Sequence, residues 1–582
     1  MDSWRGSRLD VSVDEPLRRR WNLREVGLAA LLLVVYGWAF PFFPRLNNPN
    51  ELVRLYMARA IVEERTYAIG FRSLGQDGNW VDHGPVYDSW GYVNDKALVC
   101  DDPEEQPPQC SGKLYAAKAP GASFAAVPLV GAVGLLHRLL LHRPASKDLQ
   151  VLVLRWFLSI IPTVLIWLAI RRFLLALEVG APLATLALLV GALGSLSLTY
   201  GQMFAGHQLA SLGLMLAFLP AFWPSPPVET GTSQEIRAIL VGLGAALAIS
   251  AEYQAAPAVA IVVGAWIFAR RPPDRLLGWT AAGAFPSLFL TARFHGIAFG
   301  APWRTPYGYL ENPTFVRDLG AGALGFVLPS WGSVDGSLFS PRLGLLYWAP
   351  WIALVAVAAS LARRRRLAPS VSSEAPPLAR QAVGVACLVV GYYLLFQFTH
   401  VLWRSGWTVG PRYVTPVAPF AAIAVALGVR YAPRRLRACM LPCFAGAGSA
   451  AILATGLTSL VGQGFPPETA HPLVQVVAPL LRHGYVARNP LQALGVPGAW
   501  SALPTLAGMA LAILLCLRAS GPRHGPARRL ALALFLLLAA IQWTWPGDGD
   551  SRGEGVAAYL AEHWTPAAPP GSHPFESPDG DD

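Results

Sequence analysis

Residues 237–269 read RAILVGLGAALAISAEYQAAPAVAIVVGAWIFA. A helix crosses the hydrocarbon of a bilayer with about 20 apolar residues, so this run is too long for one crossing. Glu252-Tyr253 interrupts it near the middle, and a carboxylate in hydrocarbon is costly without a partner. The run therefore predicts two spans, 237–251 and 254–269, joined by a tight hairpin outside the hydrocarbon. That choice sets the parity of every later crossing.

Working outward, apolar runs of similar width lie at 26–43, 152–170, 181–199, 208–223, 277–292, 344–362, 382–399, 413–430, 438–460, 502–517 and 529–544. With the split run they predict an all-α polytopic membrane protein of about 13 transmembrane helices. Arginine clusters abut these runs on one side: Arg18 to Arg20, Arg171-Arg172, Arg270-Arg271, Arg363 to Arg366, Arg434-Arg435-Arg437 and Arg528-Arg529. Basic loops stay cytoplasmic, so the clusters orient the chain in a plasma (inner) membrane. Residues 118–141 are also apolar. If they crossed while 237–269 stayed two spans, Arg363 to Arg366 would face outward, so they are expected as a helix in the outer interface. A rival topology lets 118–141 cross and makes 237–269 one span, at the cost of placing Arg171-Arg172 outside.

The resulting organisation is a cytoplasmic segment 1–25, a first span 26–43 and a large extracytoplasmic loop 44–151 carrying interfacial helices. Spans two to seven fill 152–292, a second large loop occupies 293–343, and spans eight to thirteen fill 344–544. An acidic, Pro- and Gly-rich tail, 545–582, is expected to be extracytoplasmic and poorly ordered. The first apolar run is followed by Pro44-Arg45-Leu46-Asn47 rather than by small residues, so it is expected as a retained span and not a cleaved signal.

Composition agrees. Of 582 residues, 54% are hydrophobic and 14% charged, against about 25% charged in soluble domains, and the mean hydropathy is +0.41. The net charge of +11 comes from basic residues bordering apolar spans, which argues for topology and lipid contact and against nucleic acid. Cys100 and Cys110 bracket a Pro-rich stretch of the first loop, where a disulfide is chemically permitted.

The conspicuous polar motifs fall on the outer side. Asn47-Asn48-Pro49-Asn50-Glu51 opens the first loop, and Arg54 follows Glu51 by three positions, on the same face if helical. Gly112-Lys113-Leu114-Tyr115-Ala116-Ala117-Lys118-Ala119-Pro120-Gly121 closes that loop, placing Lys118 at the membrane surface. Taken alone, the Glu51–Arg54 pattern favours a surface ion pair on an amphipathic helix, and Lys118 also suits a lysine snorkelling to a lipid headgroup. Asp77, Asp82, Asp88 and Asp95 sit among Gly, Asn and Trp, as solvated turn residues do.

Together the two motifs, N-E-L-V-R after the first span and G-K-L-Y-A-A-K-A-P-G at the loop's end, resemble the GT-C membrane glycosyltransferases. The closest likeness is to the protein O-mannosyltransferase and lipid A aminoarabinose transferase branch, over roughly the first 210 residues. The resemblance implies a catalytic carboxylate at Glu51 that deprotonates the acceptor, with Arg54 and Lys118 binding the phosphate of a polyprenyl-phosphate sugar. Asn50 stands where the family has Asp. Tyr200 to His207 ends in histidine where many relatives carry an outer Asp. No acidic pair suggests a divalent metal, and no cofactor is implied.

Further arginines flanked by aromatic residues, Arg342, Arg404 and Arg412, suit phosphate or sugar as well as an aromatic belt. Arg342 and Arg412 join the candidates for the donor phosphate. Asn50, Tyr115, His207, Glu252, Tyr253 and Arg404 are candidates for contacting substrate. The expected activity is inverting transfer of a sugar to a lipid, glycan or protein acceptor. Two other readings stay open: a transporter or flippase for an anionic headgroup, and an inactive assembly protein.

Overall fold

The computed structural model describes residues 22–42, 48–224, 231–320, 322, 325–363, 377–547 and 553–563. The arginine runs 18–20 and 364–366 and most of the 545–582 tail lie outside the described residues. Each of the thirteen expected crossings holds helix. Among the described residues eight helices are long and apolar enough to cross a membrane, including Lys147–Ala176, Gly231–Ala251, Tyr253–Arg270 and Arg434–Ser459. Shorter apolar helices such as Gly206–Phe222 and Val417–Tyr431 fill the remaining volume. The chain is an α-helical polytopic membrane protein.

Local chemistry sets the helix ends. Proline stands in the first turn of Pro49–Glu63, Ala181–Leu193, Ala256–Arg270 and Pro526–Thr544, where its missing N–H costs nothing. Gly300 ends Asp274–Phe299 in the left-handed region at φ 81°. Val417–Tyr431 is buried on nearly every side, as an all-apolar helix at the centre of a bundle must be. Gly206–Phe222 and Gly231–Ala251 approach backbone to backbone: a Cβ at Gly213 would lie 2.6 Å from the Ala248 nitrogen and 2.8 Å from the Gly244 carbonyl. Small residues permit this closeness between membrane helices.

The bundle has two unlike ends. At one, Glu25 binds Arg172 at 2.8 Å and Arg171 at 3.5 Å. There the connections between Ala176 and Ala181, Arg270 and Asp274, and Tyr431 and Arg434 are only a few residues long. The long connections gather at the opposite end. Gly121–Leu141 lies across that end: Gly121 packs on Ser250, and just past its other terminus Asp148 binds Arg488 at 3.0 Å. The Arg488 carbonyl in turn accepts from Phe40, beyond the end of Leu23–Gly37. Both helix ends therefore meet the same end of the bundle, although the helix is long and apolar enough to cross. Leu135, Leu139 and Leu140 stand exposed on it.

The first loop also contains a fold element that helical reading omitted. Four antiparallel strands pair in the spatial order Trp80–His83, Gly70–Leu74, Gly112–Ala116, Lys96–Cys100. Cys100 and Cys110 are joined as a disulfide. Asp77 and Asp88 are exposed, but Asp82 and Asp95 are not solvated turn residues. Asp82 receives Arg72 through two bonds of 2.6 and 3.0 Å and also pairs with the buried Lys96. Arg72 reaches Glu311 at 2.7 Å, which docks the second large loop on the sheet. Asp95 pairs with Lys118 at 3.1 Å. Charges this enclosed are kept only when paired.

Candidate functional site

The two acid–base partners that one helical turn appeared to bring together are separated. Pro49 starts the helix Pro49–Glu63, so Glu51 falls in its first turn and Arg54 one turn later. Glu51 is completely buried and faces Arg155, which donates to its two oxygens at 2.7 and 2.6 Å. The Phe204 N–H adds a bond of 2.8 Å to Oε1 and the Asn48 amide one of 3.1 Å to Oε2. Two donors on each oxygen fill the lone-pair sites a carboxylate offers. Glu51 is thus fully engaged by four hydrogen bonds within the protein.

Arg155 opens the π-helical stretch Arg155–Ile160, whose wider turn sets its side chain toward the loop. Its guanidinium also donates to the Pro41 carbonyl at 3.0 Å and lies over Phe40, 4.9 Å from the ring centroid. An arginine within the apolar run 152–170 was the available signal, since such a charge demands a carboxylate.

Arg54 turns to a different acid. It donates to Glu252 Oε1 at 2.8 Å, and His207 Nδ1 lies 3.5 Å from the same oxygen. Glu252 occupies the break between Gly231–Ala251 and Ala256–Arg270, where the hairpin was expected. The contacts that described residues make to its carboxylate are all at Oε1. Arg54 also donates to the carbonyl of Asn50, and Asn50 Oδ1 lies 3.4 Å from it. Gly206 makes room for the pair. A methyl there would lie on the Glu252 carboxylate and the Arg54 guanidinium, and 2.7 Å from the Ala251 carbonyl.

Two more cations complete the group. Lys118 follows the strand Gly112–Ala116 and precedes Gly121–Leu141. Arg412 begins the short turn Arg412–Val414, its guanidinium 5.3 Å from the Tyr413 ring centroid. Arg412 Nε is buried and has no hydrogen-bond partner among the described residues. The Tyr413 ring stands edge-on to His207, centroids 5.4 Å apart. The charges of Arg54, Lys118 and Arg412 all act on both Glu252 and His207. Three cations therefore face two carboxylates, Glu252 and Asp95, in one enclosed group at the loop-bearing end of the bundle.

Aromatic side chains wall this group. Tyr253 O–H meets His295 Nε2 at 2.6 Å, while His295 Nδ1 lies 3.0 Å from the Pro302 carbonyl. A carbonyl only accepts, so Nδ1 carries the proton and Nε2 accepts from the phenol. Tyr253 also meets Tyr307 edge-on at 5.9 Å. Tyr200 O–H bonds Thr408 at 2.7 Å, tying the 400–412 loop to the 200–207 segment. Burial pushes His400 down to about 4, so it is neutral and stacks on Phe396.

The remaining candidates serve elsewhere. Arg342 donates to the carbonyls of Gly406 and Arg404 at 3.3 and 3.2 Å, bracing the 400–412 loop. Arg404 is exposed, over Trp403. Tyr115 is buried against Phe299 and Phe294. Among the described residues no three His, Cys, Asp or Glu side chains are placed to hold a metal ion.

No protein-family model and no curated protein matches the chain. Solved structures with a similar arrangement include ArnT from Cupriavidus metallidurans bound to undecaprenyl phosphate, at 13% identity and a TM-score of 0.42, covering 93% of this chain and 79% of that one. Another is the arabinosyltransferase EmbB from Mycobacterium smegmatis, at 13% identity and a TM-score of 0.40, covering 97% of this chain and 43% of that one. The oligosaccharyltransferase of Archaeoglobus fulgidus is 14% identical, with a TM-score of 0.38, covering 97% of this chain and 62% of that one. These neighbours are GT-C glycosyltransferases, the class that the two motifs of the first loop resemble.

Proposed function

We propose that the chain is a membrane glycosyltransferase that moves a sugar from a polyprenyl-phosphate donor to a lipid, glycan or protein acceptor at the extracytoplasmic face. The observation that carries this reading is the convergence of Arg54, Lys118 and Arg412 on Glu252, with Lys118 leading into a leucine-rich apolar helix. A phosphate with an apolar tail needs cations beside lipid, and cations stabilise the charge that grows on it as it leaves.

In this reading Glu252 is the base. The acceptor oxygen attacks the anomeric carbon, its proton passes to Glu252, and the carbon–oxygen bond to phosphate breaks, with inversion. Arg54, now paired with Glu252, shifts part of its hydrogen bonding to the donor phosphate and so leaves the carboxylate free to accept a proton. Glu51 and Arg155 hold the helix start that aims Arg54, and no metal is invoked. The arginine clusters at the other end argue that this end is extracytoplasmic.

The transport reading expects broken helices with open backbone groups. Breaks occur at Gly194-Ser195 and Ala349, but the freed carbonyls of Leu193 and Gly194 are taken by Thr455 and Trp351. That filling favours an enzyme.

The test compares Glu252→Gln with wild type in reconstituted membranes, following lipid-linked sugars by mass spectrometry. Loss of a general base lowers turnover per folded molecule by about 10²–10⁴-fold, with donor accumulating. Wild-type turnover in Glu252→Gln would remove it from the role.

A further inference from the structure

One enclosed hydroxyl near Glu252 is left without a bond. Tyr393 lies on Pro377–Thr399, six residues before its end and so about 9 Å into the helix at roughly 1.5 Å per residue. It is 1% exposed, and its phenol oxygen has no hydrogen-bond partner among the described residues. Its neighbour Tyr392 differs: that O–H donates to the Gln254 carbonyl at 2.5 Å, which fastens this turn of the helix to the hairpin carrying Glu252. One turn on from Tyr393 and on the same face, Phe396 meets Tyr413 with ring centroids 5.8 Å apart. Tyr413 meets His207, and His207 lies 3.5 Å from Glu252. The Glu252 charge acts on the Tyr393 phenol, although no bond joins the two. Glu252 Oε2 and the buried Nε atoms of Arg54 and Arg412 are likewise unbonded among the described residues.

A hydroxyl enclosed in a membrane bundle has no bulk water to turn to, and leaving it unbonded costs free energy. We propose that the Tyr393 phenol holds a hydroxyl group of the sugar being transferred, and so selects which sugars the protein accepts. This rests on the sugar-transfer reading and sets the sugar between Tyr393 and Glu252. A lipid, glycan or protein acceptor is bulky and must reach Glu252 from outside, whereas one sugar ring suits the enclosed side where Tyr393 stands. A phenol both donates and accepts, so it pairs with a free hydroxyl. A bare methylene at that carbon leaves the phenol unbonded, and an acyl ester offers it no donor. The substrate class is therefore a sugar with an unsubstituted hydroxyl at the carbon facing Tyr393.

Membranes carrying wild type or Tyr393→Phe as the sole copy are given undecaprenyl-phosphate arabinose, mannose or galactose. Consumption of these and of resident lipid-linked sugars is followed by mass spectrometry. The sugar that wild type consumes is then supplied in each singly deoxygenated form. Tyr393→Phe lowers kcat/KM for the parent sugar about tenfold, which is roughly 1.4 kcal/mol, the size of one hydrogen bond. Wild type consumes one deoxy form at least tenfold more slowly than the parent, and Tyr393→Phe consumes that form as fast as wild type does, because the bond is already gone. The other deoxy forms keep the tenfold loss. The purified variant unfolds at or above the wild-type temperature, since no bond within the protein is lost. An equal loss across every deoxy form, an unchanged kcat/KM, or a lower unfolding temperature overturns the assignment. If wild type consumes no lipid-linked sugar, added or resident, the sugar-transfer reading itself fails and takes this assignment with it.

Discussion

Replacing Arg155 by Met tests whether Glu51 is a structural acid. The substitution removes the 2.6 and 2.7 Å bonds to a fully buried carboxylate and leaves only the Phe204 N–H and the Asn48 amide. Removing one member of a buried pair costs about 3–5 kcal/mol, because the other charge stays enclosed and uncompensated. Glu51→Gln strands Arg155 in the same way. In Glu51→Gln/Arg155→Met no buried charge is left, and Phe204 still has an amide oxygen to bond. The two losses should therefore fall short of additivity by about 2 kcal/mol, as for contacting residues. Thermal unfolding in detergent can be followed with a thiol-reactive dye, reading the emergence of the buried Cys516 against the exposed Cys439. The double variant should unfold at a higher temperature than the summed single losses predict, at equal scan rate, and should regain turnover that Glu252→Gln does not. Additive losses, or a single variant as stable as wild type, would refute the reasoning.

Gly206→Ala should lower turnover about tenfold or more, since sub-ångström displacements of positioned groups are expensive, while the unfolding temperature moves by only a few degrees. The added methyl meets the Ala251 carbonyl at 2.7 Å and both members of the Arg54–Glu252 pair; donor consumption at the wild-type rate would show that the pair does not matter. The sheet should respond to acid. Burial opposes ionisation of Asp82, but Arg72 and Lys96 outweigh it and hold the carboxyl below its usual range. Its folded value is below its unfolded one, so the stabilisation is present above about pH 3.9 and is lost as pH falls through the folded value. Hydrogen exchange in Lys96–Cys100 and Gly112–Ala116 should accelerate below about pH 4. In Asp82→Asn exchange should already be fast at neutral pH and no longer depend on this step; an unchanged acid response would sink the assignment.

Much of the site was legible as a set of addresses. Glu252 stands out because a carboxylate amid an apolar run must leave the hydrocarbon or find a partner, and it finds Arg54. Lys118, Arg412 and His207 were placed on one end by counting crossings. Arg155 went unremarked, although its position in an apolar span carried the same warning as Glu252. Arg342 looked equivalent to Arg412, with similar aromatic and glycine neighbours, and the difference lies in the loop carbonyls it meets. The strands escaped notice because five-residue segments interrupted by Gly, Pro and Asp carry little periodicity.

By itself the sequence determined that the chain forms a bundle of apolar, membrane-spanning helices. In a bilayer a backbone must satisfy its hydrogen bonds within its own segment, so local apolar length is enough to dictate helix. Only the tertiary structure decided which acid answers which base. Glu51 and Arg54 are three positions apart, yet their partners lie 104 and 198 positions away. A buried charge is compensated by whichever opposite charge the packing brings within reach, and spacing along one helix does not encode that choice.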